Sequence, residues 1–287
     1  MKLLWLVLVM LICQVLASAQ TPPPQAAGYS LVFSNDFSSL NINSSGNLNG
    51  NYTWFNPGMW WQNPAPWGNF STTSGPGLNL NWTPGQSPAN TSVSSCSPNG
   101  SNCQTWNHGY FEASMRFDVV TGAWPAFWMI PVEGHTLPSG SETGEWDIIE
   151  FNTPQMPLSG AYQASAHDWN GPGGSTQCTS GTYKSSSITS SNFNTYGMLW
   201  TAGTIQFYFN NNLVKTCNID SKIDAQNYFL VLGSQEGVNW NYGNTSGVTA
   251  SNISVNFDWV HVWQPGSGSQ PPPAAPSAPT GLTATVS

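Results

Sequence analysis

Short runs in which apolar and polar residues alternate recur along most of the chain. In 108–119 one face would carry Phe111, Ala113, Met115 and Phe117, and in 253–259 one face would carry Ile253, Val255, Phe257 and Trp259. The segment 205–209 alternates in the same way. A period of two residues is typical of a β-strand with one buried face. The pattern therefore predicts strands, with at most one helical turn near 221–227.

Loops rich in Gly, Asn, Ser and Pro separate these predicted strands. Many short strands joined by such loops are typical of an antiparallel sandwich, and no repeat of roughly 20–50 residues points to a solenoid or a propeller. The body of roughly 240 residues is larger than an immunoglobulin module of about 100 residues. We therefore expect an all-β jelly roll with two large sheets.

Composition narrows the class of ligand. Among 287 residues there are only five Lys and Arg against 13 Asp and Glu, but 15 Trp, 9 Tyr and 13 Phe. So few cations argue against a nucleic-acid partner and against a polybasic contact with a membrane, because both require clustered positive charge. Many aromatic rings on a nearly uncharged polar chain favour a neutral ligand that stacks on them, such as a sugar.

The first 19 residues are typical of a secretory signal peptide. Lys2 precedes an apolar run over 3–16, and small residues at Ala17 and Ala19 suit cleavage before Gln20. No later segment is apolar over about 18 residues, the length that a membrane-spanning helix needs. We therefore expect a secreted, extracellular protein that has no membrane contact once the signal peptide is removed.

Both ends of the exported chain have a composition different from that of the body. Residues 20–27 form a Pro-rich leader, and 266–279 form a linker rich in Pro, Ser and Gly. Residues 280–287 resemble the first strand of a fibronectin type III module, which needs about 100 residues to fold. We therefore expect one catalytic or binding domain over 28–265, in a monomer that is a fragment of a longer modular protein.

Four cysteines remain after the predicted signal peptide, at positions 96, 103, 178 and 217. An even number in an exported chain favours two disulfides, and no Cys/His spacing resembles a zinc site. Three connectivities are possible. One of them joins Cys96 to Cys103 across a six-residue loop and leaves Cys178 for Cys217.

Three of the 13 acidic residues lie within one predicted strand, Glu145-Trp146-Asp147-Ile148-Ile149-Glu150. A regular strand would place Glu150 on the face opposite Glu145 and Asp147, whereas a one-residue bulge at 148–149 would bring it to the same face. Like charges on one face separate the pKa values of their carboxyl groups, as acid/base catalysis requires. The alternative is a set of solvated acids on an exposed strand.

Segment 144–151 resembles the active-site strand of glycoside hydrolase family 16, in its bulged Glu-x-Asp-x-x-Glu form. Segments typical of the family flank it in the expected order, at 109–113, 122–129, 196–208 and 257–262. The resemblance extends over roughly 29–264. It implies a concanavalin A-like β-jelly-roll sandwich with a concave sugar-binding cleft, and no required cofactor. Trp146 departs from the aliphatic residue usual in the family, and we expect its side chain to point away from the cleft.

The same resemblance assigns roles to individual residues. Glu145 would be the nucleophile, Glu150 the acid/base, and Asp147 an auxiliary residue that orients Glu145. A retaining double displacement requires such a pair of carboxyl groups about 5–5.5 Å apart, whereas an inverting enzyme needs about 6.5–9.5 Å.

Further positions are weaker candidates. Trp124, Trp128 and His167 correspond to positions in or near the cleft, although Trp128 can equally be a core residue and His167 a packed side chain. Trp106, together with Trp60, Trp61 and Trp67, is a candidate for outer subsites. Asp258 corresponds to the carboxylate of a structural Ca²⁺ site, although one acid cannot define a cation site that needs six or more oxygens.

The function expected from these features is hydrolysis of β-1,3- or mixed β-1,3/1,4-glucan by a retaining endo-β-glycosidase. The shortage of cationic side chains disfavours a sulfated substrate. Alternatives are a hydrolase of another polysaccharide of the galactan or agar type, a transglycosylase on the same fold, and a glycan-binding protein without catalytic activity.

Overall fold

The computed structural model describes residues 20–43, 50–72, 77–156, 158, 160–171 and 176–266. The predicted signal peptide, the fibronectin-like end and all but the first residue of the C-terminal linker lie outside the described residues. Regular structure in the described part is almost entirely β, with one α-helical turn at Ser221–Asp224 and three short 3-10 turns. None of its helices combines the length and the apolar composition needed to cross a bilayer.

The described strands form two antiparallel sheets of eight strands each, as the alternation predicts. Sheet A contains, in spatial order, β13 (Asn212–Asn218), β12 (Thr204–Phe209), β11 (Asn194–Thr201), β5 (Gly109–Phe117), β16 (Ile253–Pro265), β3 (Leu78–Trp82) and β2 (Phe70–Thr72), with β1 (Tyr29–Asn35) also paired to β16. Sheet B contains β10 (Tyr183–Lys184), β8 (Ala161–Trp169), β7 (Thr143–Glu150), β6 (Ala123–Pro131), β14 (Tyr228–Val238) and β15 (Asn241–Tyr242), with β4 (Asn90–Ser94) paired to β14 and β9 (Thr176–Thr179) to β8.

The main core lies between the two sheets and is built from the alternate residues of their strands. On β5 the core residues are Phe111, Ala113, Met115 and Phe117, as predicted. Trp146 of β7 is fully buried in this core and stacks on Tyr228, with ring centroids 4.8 Å apart. The prediction that Trp146 points away from the cleft is therefore confirmed. Each large apolar side chain buried in this way contributes about 1.5–3 kcal/mol to stability.

Strand β16 departs from the predicted alternation at its middle. Ile253, Val255 and Phe257 face the core, but the pairing of β16 with β5 shifts register between Phe257 and Trp259. This β-bulge adds Asp258 as an extra residue, so that Val260 and Val262 take the core positions that follow. The expectation that Trp259 shares the face of Ile253 is wrong, because the bulge turns it to the outer face of sheet A.

The Pro-rich leader packs against the outer face of sheet A. Its 3-10 turn Pro24–Ala26 buries Ala26 in a small apolar cluster with Tyr110, Tyr208 and Trp263. Gln25 Nε2 donates a hydrogen bond to Asn211 Oδ1 at 3.0 Å. Residues before the predicted domain start therefore contribute to the packing of the sandwich.

Two disulfides join Cys96 to Cys103 and Cys178 to Cys217, so the chain uses one of the three connectivities left open by the sequence. The first closes a loop above sheet B. The second connects β9 of sheet B to β13 of sheet A, with Cα atoms 5.8 Å apart. It therefore fastens one sheet to the other at the edge of the sandwich.

Candidate active site

Strand β7 contains the bulge that the acidic segment predicts. Its pairing with β6 passes from Phe127 opposite Ile149 to Trp128 opposite Asp147, which leaves Ile148 as the extra residue. Ile148 and Ile149 are both buried in the main core. The bulge therefore returns Glu150 to the outer face of sheet B, where Glu145 and Asp147 also lie.

Indole and imidazole groups hold the three carboxyl groups. Trp169 Nε1 donates to Glu145 Oε2 at 3.1 Å, and Trp124 Nε1 donates to Glu150 Oε1 at 2.9 Å. His167 Nε2 lies 2.9 Å from Asp147 Oδ2, and the His167 ring stacks on Trp169 with an interplanar angle of 6°. These contacts restrict the side-chain rotamers, so each carboxyl group has a fixed position on the face.

The cluster opens into a cavity of about 430 Å³, which we call the central cavity. It is lined by Trp124, Glu145, Glu150, Gln163, His167, Trp169 and Trp240. A cavity of this size holds part of a sugar chain, and its combination of indole faces with carboxyl, amide and imidazole groups suits a ligand that has both apolar ring faces and hydroxyl groups.

Burial raises the pKa values of all three carboxyl groups, and the charge of Asp147 raises those of Glu145 and Glu150 further. Burial raises the pKa of Asp147 to about 7, and burial followed by the charge of Asp147 raises the pKa of Glu150 to about 8. Burial and then the charge of Asp147 also raise the pKa of Glu145 well above its usual value. The cluster therefore retains at least one proton at neutral pH, and that proton is available to a leaving group.

Two further cavities adjoin the central one. The first, of about 370 Å³, shares Glu145 and Trp169 with it, and the second, of about 580 Å³, shares Trp124. Trp61, 56% exposed, lines both of these flanking cavities and contacts Trp60 edge to face. The three cavities lie side by side on the outer face of sheet B, with Trp61 between two of them, and we call them together the groove.

Two predicted cleft residues are packing residues instead. Trp128 is 8% exposed and lies beneath the loop that carries Met59, in an apolar cluster on the outer face of sheet B. Trp106, also 8% exposed, lies in the main core against Phe33 and Phe111. Both indoles are covered by neighbouring apolar side chains, so the structure corrects their assignment as substrate-binding residues. Trp67 is exposed but lines none of the three cavities.

Trp169, Gln163 and Trp240 line the central cavity but were not among the predicted residues. Trp169 lies two residues after His167 on β8, so the two-residue period was a signal for it. Trp240 follows β14 in a two-residue turn with Asn239, and both have positive φ, 55° and 63°. This turn usually contains glycine. Its strain is offset partly by a hydrogen bond from Trp240 N to Asn152 Oδ1 at 3.0 Å.

Two places in the molecule carry side chains of the types that ligate metal ions. One ligand atom each from Glu145, Asp147 and His167 lies within 4.8 Å of the others, close enough to approach a single cation. In the structure these atoms already interact with one another and with Trp169. Asp258 lies half-buried in the β16 bulge and belongs to no cluster of three metal-ligating side chains among the described residues. Calcium binding at Asp258 stays a prediction.

The sequence of this chain is similar to one known enzyme family and to several of its characterised relatives. The family model described as Glycosyl hydrolases family 16 matches residues 67–260. The chain is 28% identical over 166 residues to a keratan-sulfate endo-1,4-beta-galactosidase of Sphingobacterium multivorum, across 55% of this chain and 37% of that protein. It is 30% identical over 124 residues to the endo-1,3-1,4-beta-glycanase ExsH of Rhizobium meliloti (strain 1021), across 43% of this chain and 24% of that protein.

Solved structures show the same fold. The laminarinase of Rhodothermus marinus superimposes with a TM-score of 0.62 at 18% identity, over 82% of this chain and 97% of that one. The chain spans only 37% and 24% of the length of the two curated relatives above. Their activities as whole proteins are therefore not transferred by similarity alone.

Proposed function

Because the chain belongs to glycosyl hydrolase family 16 and is a glycoside hydrolase, we propose that it is a secreted, retaining endo-β-glycosidase acting on neutral β-1,3- or mixed β-1,3/1,4-glucan. One observation carries the proposal. The β7 bulge brings Glu145 and Glu150 to one face, where each accepts a hydrogen bond from a different indole at the wall of the same cavity.

The proposed double displacement gives the two glutamates different roles. With a pKa of about 8, Glu150 holds a proton at neutral pH and donates it to the glycosidic oxygen as that bond breaks. Glu145, in its ionised form, attacks the anomeric carbon and forms a covalent glycosyl-enzyme intermediate. Glu150, now a carboxylate, removes a proton from water, and the hydroxide formed releases the sugar with retained configuration.

Asp147 and His167 position and tune these groups. Asp147 hydrogen-bonds to Glu150, and its charge raises the pKa of that carboxyl group. The imidazole of His167 contacts Asp147, and a positive charge on it lowers the pKa of both Glu145 and Glu150. The two glutamates differ in their contact with Asp147, because Glu150 shares a hydrogen bond with that carboxyl group, which keeps the proton on Glu150.

The groove supports a neutral substrate. None of the described residues that line its three cavities is Lys or Arg, although sulfate recognition generally uses these side chains. The largest cavity is lined by four amide side chains, Gln62, Asn63, Gln86 and Gln235. Amides donate to and accept from hydroxyl groups, so they suit an uncharged sugar.

The extent of the groove supports cleavage within a chain. The central cavity, which is lined by both glutamates, adjoins a flanking cavity that shares Glu145 and another that shares Trp124. Sugar units therefore have binding positions beyond the scissile bond on more than one side. A galactan remains the second candidate, because a relative of this chain is an endo-galactosidase.

The test is release of reducing ends from laminarin, barley mixed-linkage glucan, agarose oligosaccharides, xyloglucan and keratan sulfate. Wild type, Glu145→Gln and Glu150→Gln are compared, with Glu133→Gln as the control because Glu133 lies outside the three cavities. We expect hydrolysis of a glucan by wild type and control, loss in both active-site variants, and a first product with the β-anomeric configuration by NMR. Cleavage of agarose or keratan sulfate alone would support the galactan candidate. If wild type and all variants bind a polysaccharide without cleaving it, the protein is a glycan-binding protein. Products longer than the substrate would indicate a transglycosylase.

A further inference from the structure

The outer face of sheet A contains a second cluster of a carboxylate, a histidine and indoles. We define the second cluster as Glu112 of β5 with Trp259, His261 and Trp263 of β16. The bulge at Asp258 sets it up, because it turns all three β16 side chains to this face. Glu112, His261 and Trp263 are only 5%, 4% and 1% exposed, although a residue on the outer face of a sandwich is normally solvated.

The contacts of the second cluster repeat those at the active site. Trp263 Nε1 donates to Glu112 Oε1 at 2.9 Å, as Trp124 does to Glu150. His261 Nδ1 lies 3.5 Å from the same Glu112 oxygen, and its ring stacks on Trp259 with centroids 4.1 Å apart and an angle of 12°. Carboxylate, indole donor and stacked histidine therefore occur together on both outer faces of the sandwich.

A cavity of about 290 Å³ lies against this cluster. The four cluster residues line it together with Thr195, Asn211 and the leader residues Gln20, Thr21 and Pro23. Trp259 is half-buried and Asn211 is exposed, so the cavity is open to solvent. The leader, which packs on this face, supplies one wall.

The lining selects a neutral, hydroxylated ligand of about one ring. A carboxylate, an amide and hydroxyl groups offer both acceptors and donors, and indole edges and faces offer apolar contact. Within the part of the chain that the structure describes, no Lys or Arg lines the cavity, which disfavours phosphate, sulfate or carboxylate ligands. The volume is at the lower end of the range for small-molecule sites, so one pyranose unit fits better than a longer segment.

We propose that this cavity is a second sugar-binding site, which holds one neutral pyranose unit of the polysaccharide while the groove on sheet B holds another part of the same material. The proposal rests on the proposed function for the identity of the polysaccharide. The site binds without cleaving, because it has one carboxylate where double displacement needs two. Two sites on opposite faces increase the retention of the enzyme on an insoluble glucan through effective concentration.

The experiment measures retention on insoluble β-1,3-glucan in a Glu145→Gln background, so that the probe is not degraded. Trp259→Ala removes the aromatic wall. Thr195→Tyr fills the cavity from a neighbouring strand and covers the case in which Trp259→Ala disturbs the fold. Phe193→Ala is the matched control, because Phe193 is an exposed aromatic residue that lines none of the four cavities. Any affinity tag is placed at the C-terminal end, since residues 20–23 line the cavity.

We expect both cavity variants to be retained roughly tenfold more weakly than Phe193→Ala and the parent. In the active background, the same substitutions should change the rate on a soluble β-1,3-gluco-oligosaccharide by less than about twofold. Retention equal to that of the parent in both variants would overturn the second site and leave the proposed function intact. If the active enzyme cleaves no glucan, the proposed function fails. The second site then stands only if retention still depends on Trp259 and Thr195.

Discussion

The two outer faces of the sandwich carry clusters of the same residue types, and only one has the groups needed for catalysis. On sheet B, Glu145, Asp147 and Glu150 lie among Trp124, His167 and Trp169, a set we call the catalytic cluster because the proposed function assigns the reaction to it. On sheet A the second cluster has Glu112 alone among its histidine and indoles. In both cases a bulge in one strand presents the side chains. On both faces the indole and histidine side chains orient a carboxyl group. The number of carboxyl groups then determines whether a double displacement is possible.

Electrostatics explains why the number matters. In the catalytic cluster the charge of Asp147 raises the pKa of both Glu145 and Glu150 beyond the effect of burial. Such coupling leaves one group protonated while a neighbour ionises, which is the condition for an acid and a nucleophile to act together. A single carboxylate held by an indole has no such partner and acts only as a hydrogen-bond acceptor.

The largest effect should come from removing one carboxylate on each face. Glu145→Gln is expected to lower kcat on the preferred glucan about a thousandfold or more, because the nucleophile is lost. Glu112→Gln keeps a similar shape on the opposite face and should change kcat less than about threefold. Initial-rate assays with circular dichroism as a folding control test the pair. Equal losses in both variants would contradict the assignment of catalysis to one face.

The pH profile of kcat/KM should show the coupling between Asp147 and Glu150. The proposed mechanism requires protonated Glu150, whose pKa is about 8, so kcat/KM should fall as pH rises through that region. Asp147→Asn removes the charge that raises this pKa and replaces the carboxylate acceptor by a weaker amide oxygen. The alkaline limb of the profile should therefore move to lower pH, together with a loss in kcat of about tenfold or more. A profile whose alkaline limb stays in place in Asp147→Asn would show that Asp147 does not control the acid.

The sequence predicted one of the two bulges, and the reason lies in the residues involved. At 145–150 a regular strand would place Glu150 opposite the other two acids, and the resemblance to the bulged Glu-x-Asp-x-x-Glu form favoured a bulge that reunites them. At 253–259 the alternation continues without interruption through Trp259. Nothing local marks the change of face, because an indole is compatible with a core position and with an outer one. Only the pairing of β16 with β5 decides that Val260 is buried instead.

The same ambiguity explains the misplaced tryptophans. Trp106 and Trp128 fill space against apolar neighbours, whereas Trp169 and Trp240 line the cavity, and composition does not separate these uses. Trp240 depends on a turn with positive φ in which glycine would be expected. Jelly-roll class, the face of the three acids and the orientation of Trp146 followed from periodicity and resemblance. The walls of the groove depend on loop packing, which has no period.

The outer face of sheet B also differs from that of sheet A in its exposed Trp61, which lies between two cavities of the groove. Trp61→Ala should lower kcat/KM on laminarin roughly tenfold, because a stacking surface shared by two cavities is lost. Trp67→Ala is the matched control, because Trp67 is also an exposed indole but lines none of the three cavities. Kinetics on laminarin and on a short oligosaccharide should show the smaller effect for the short substrate. An equal loss in Trp67→Ala would indicate a general effect of removing surface indoles.

The smallest expected effect is on thermal stability. Replacing one carboxyl group in each cluster should shift Tm in opposite directions. A carboxyl group with a raised pKa in the folded state contributes fully to stability below its unfolded pKa of 4.5, and this contribution is lost as pH rises through the folded value of about 8. Glu150→Gln stays neutral, so it should raise Tm by roughly 3 °C or more at pH 8.5 and leave it nearly unchanged at pH 4. Glu112→Gln instead weakens the hydrogen bond from Trp263 and should lower Tm at pH 8.5. Calorimetry at both pH values tests this contrast. If Glu150→Gln is no more stable than wild type at pH 8.5, the catalytic cluster does not destabilise the fold. If Glu112→Gln is more stable than wild type, the second cluster is the one that destabilises it.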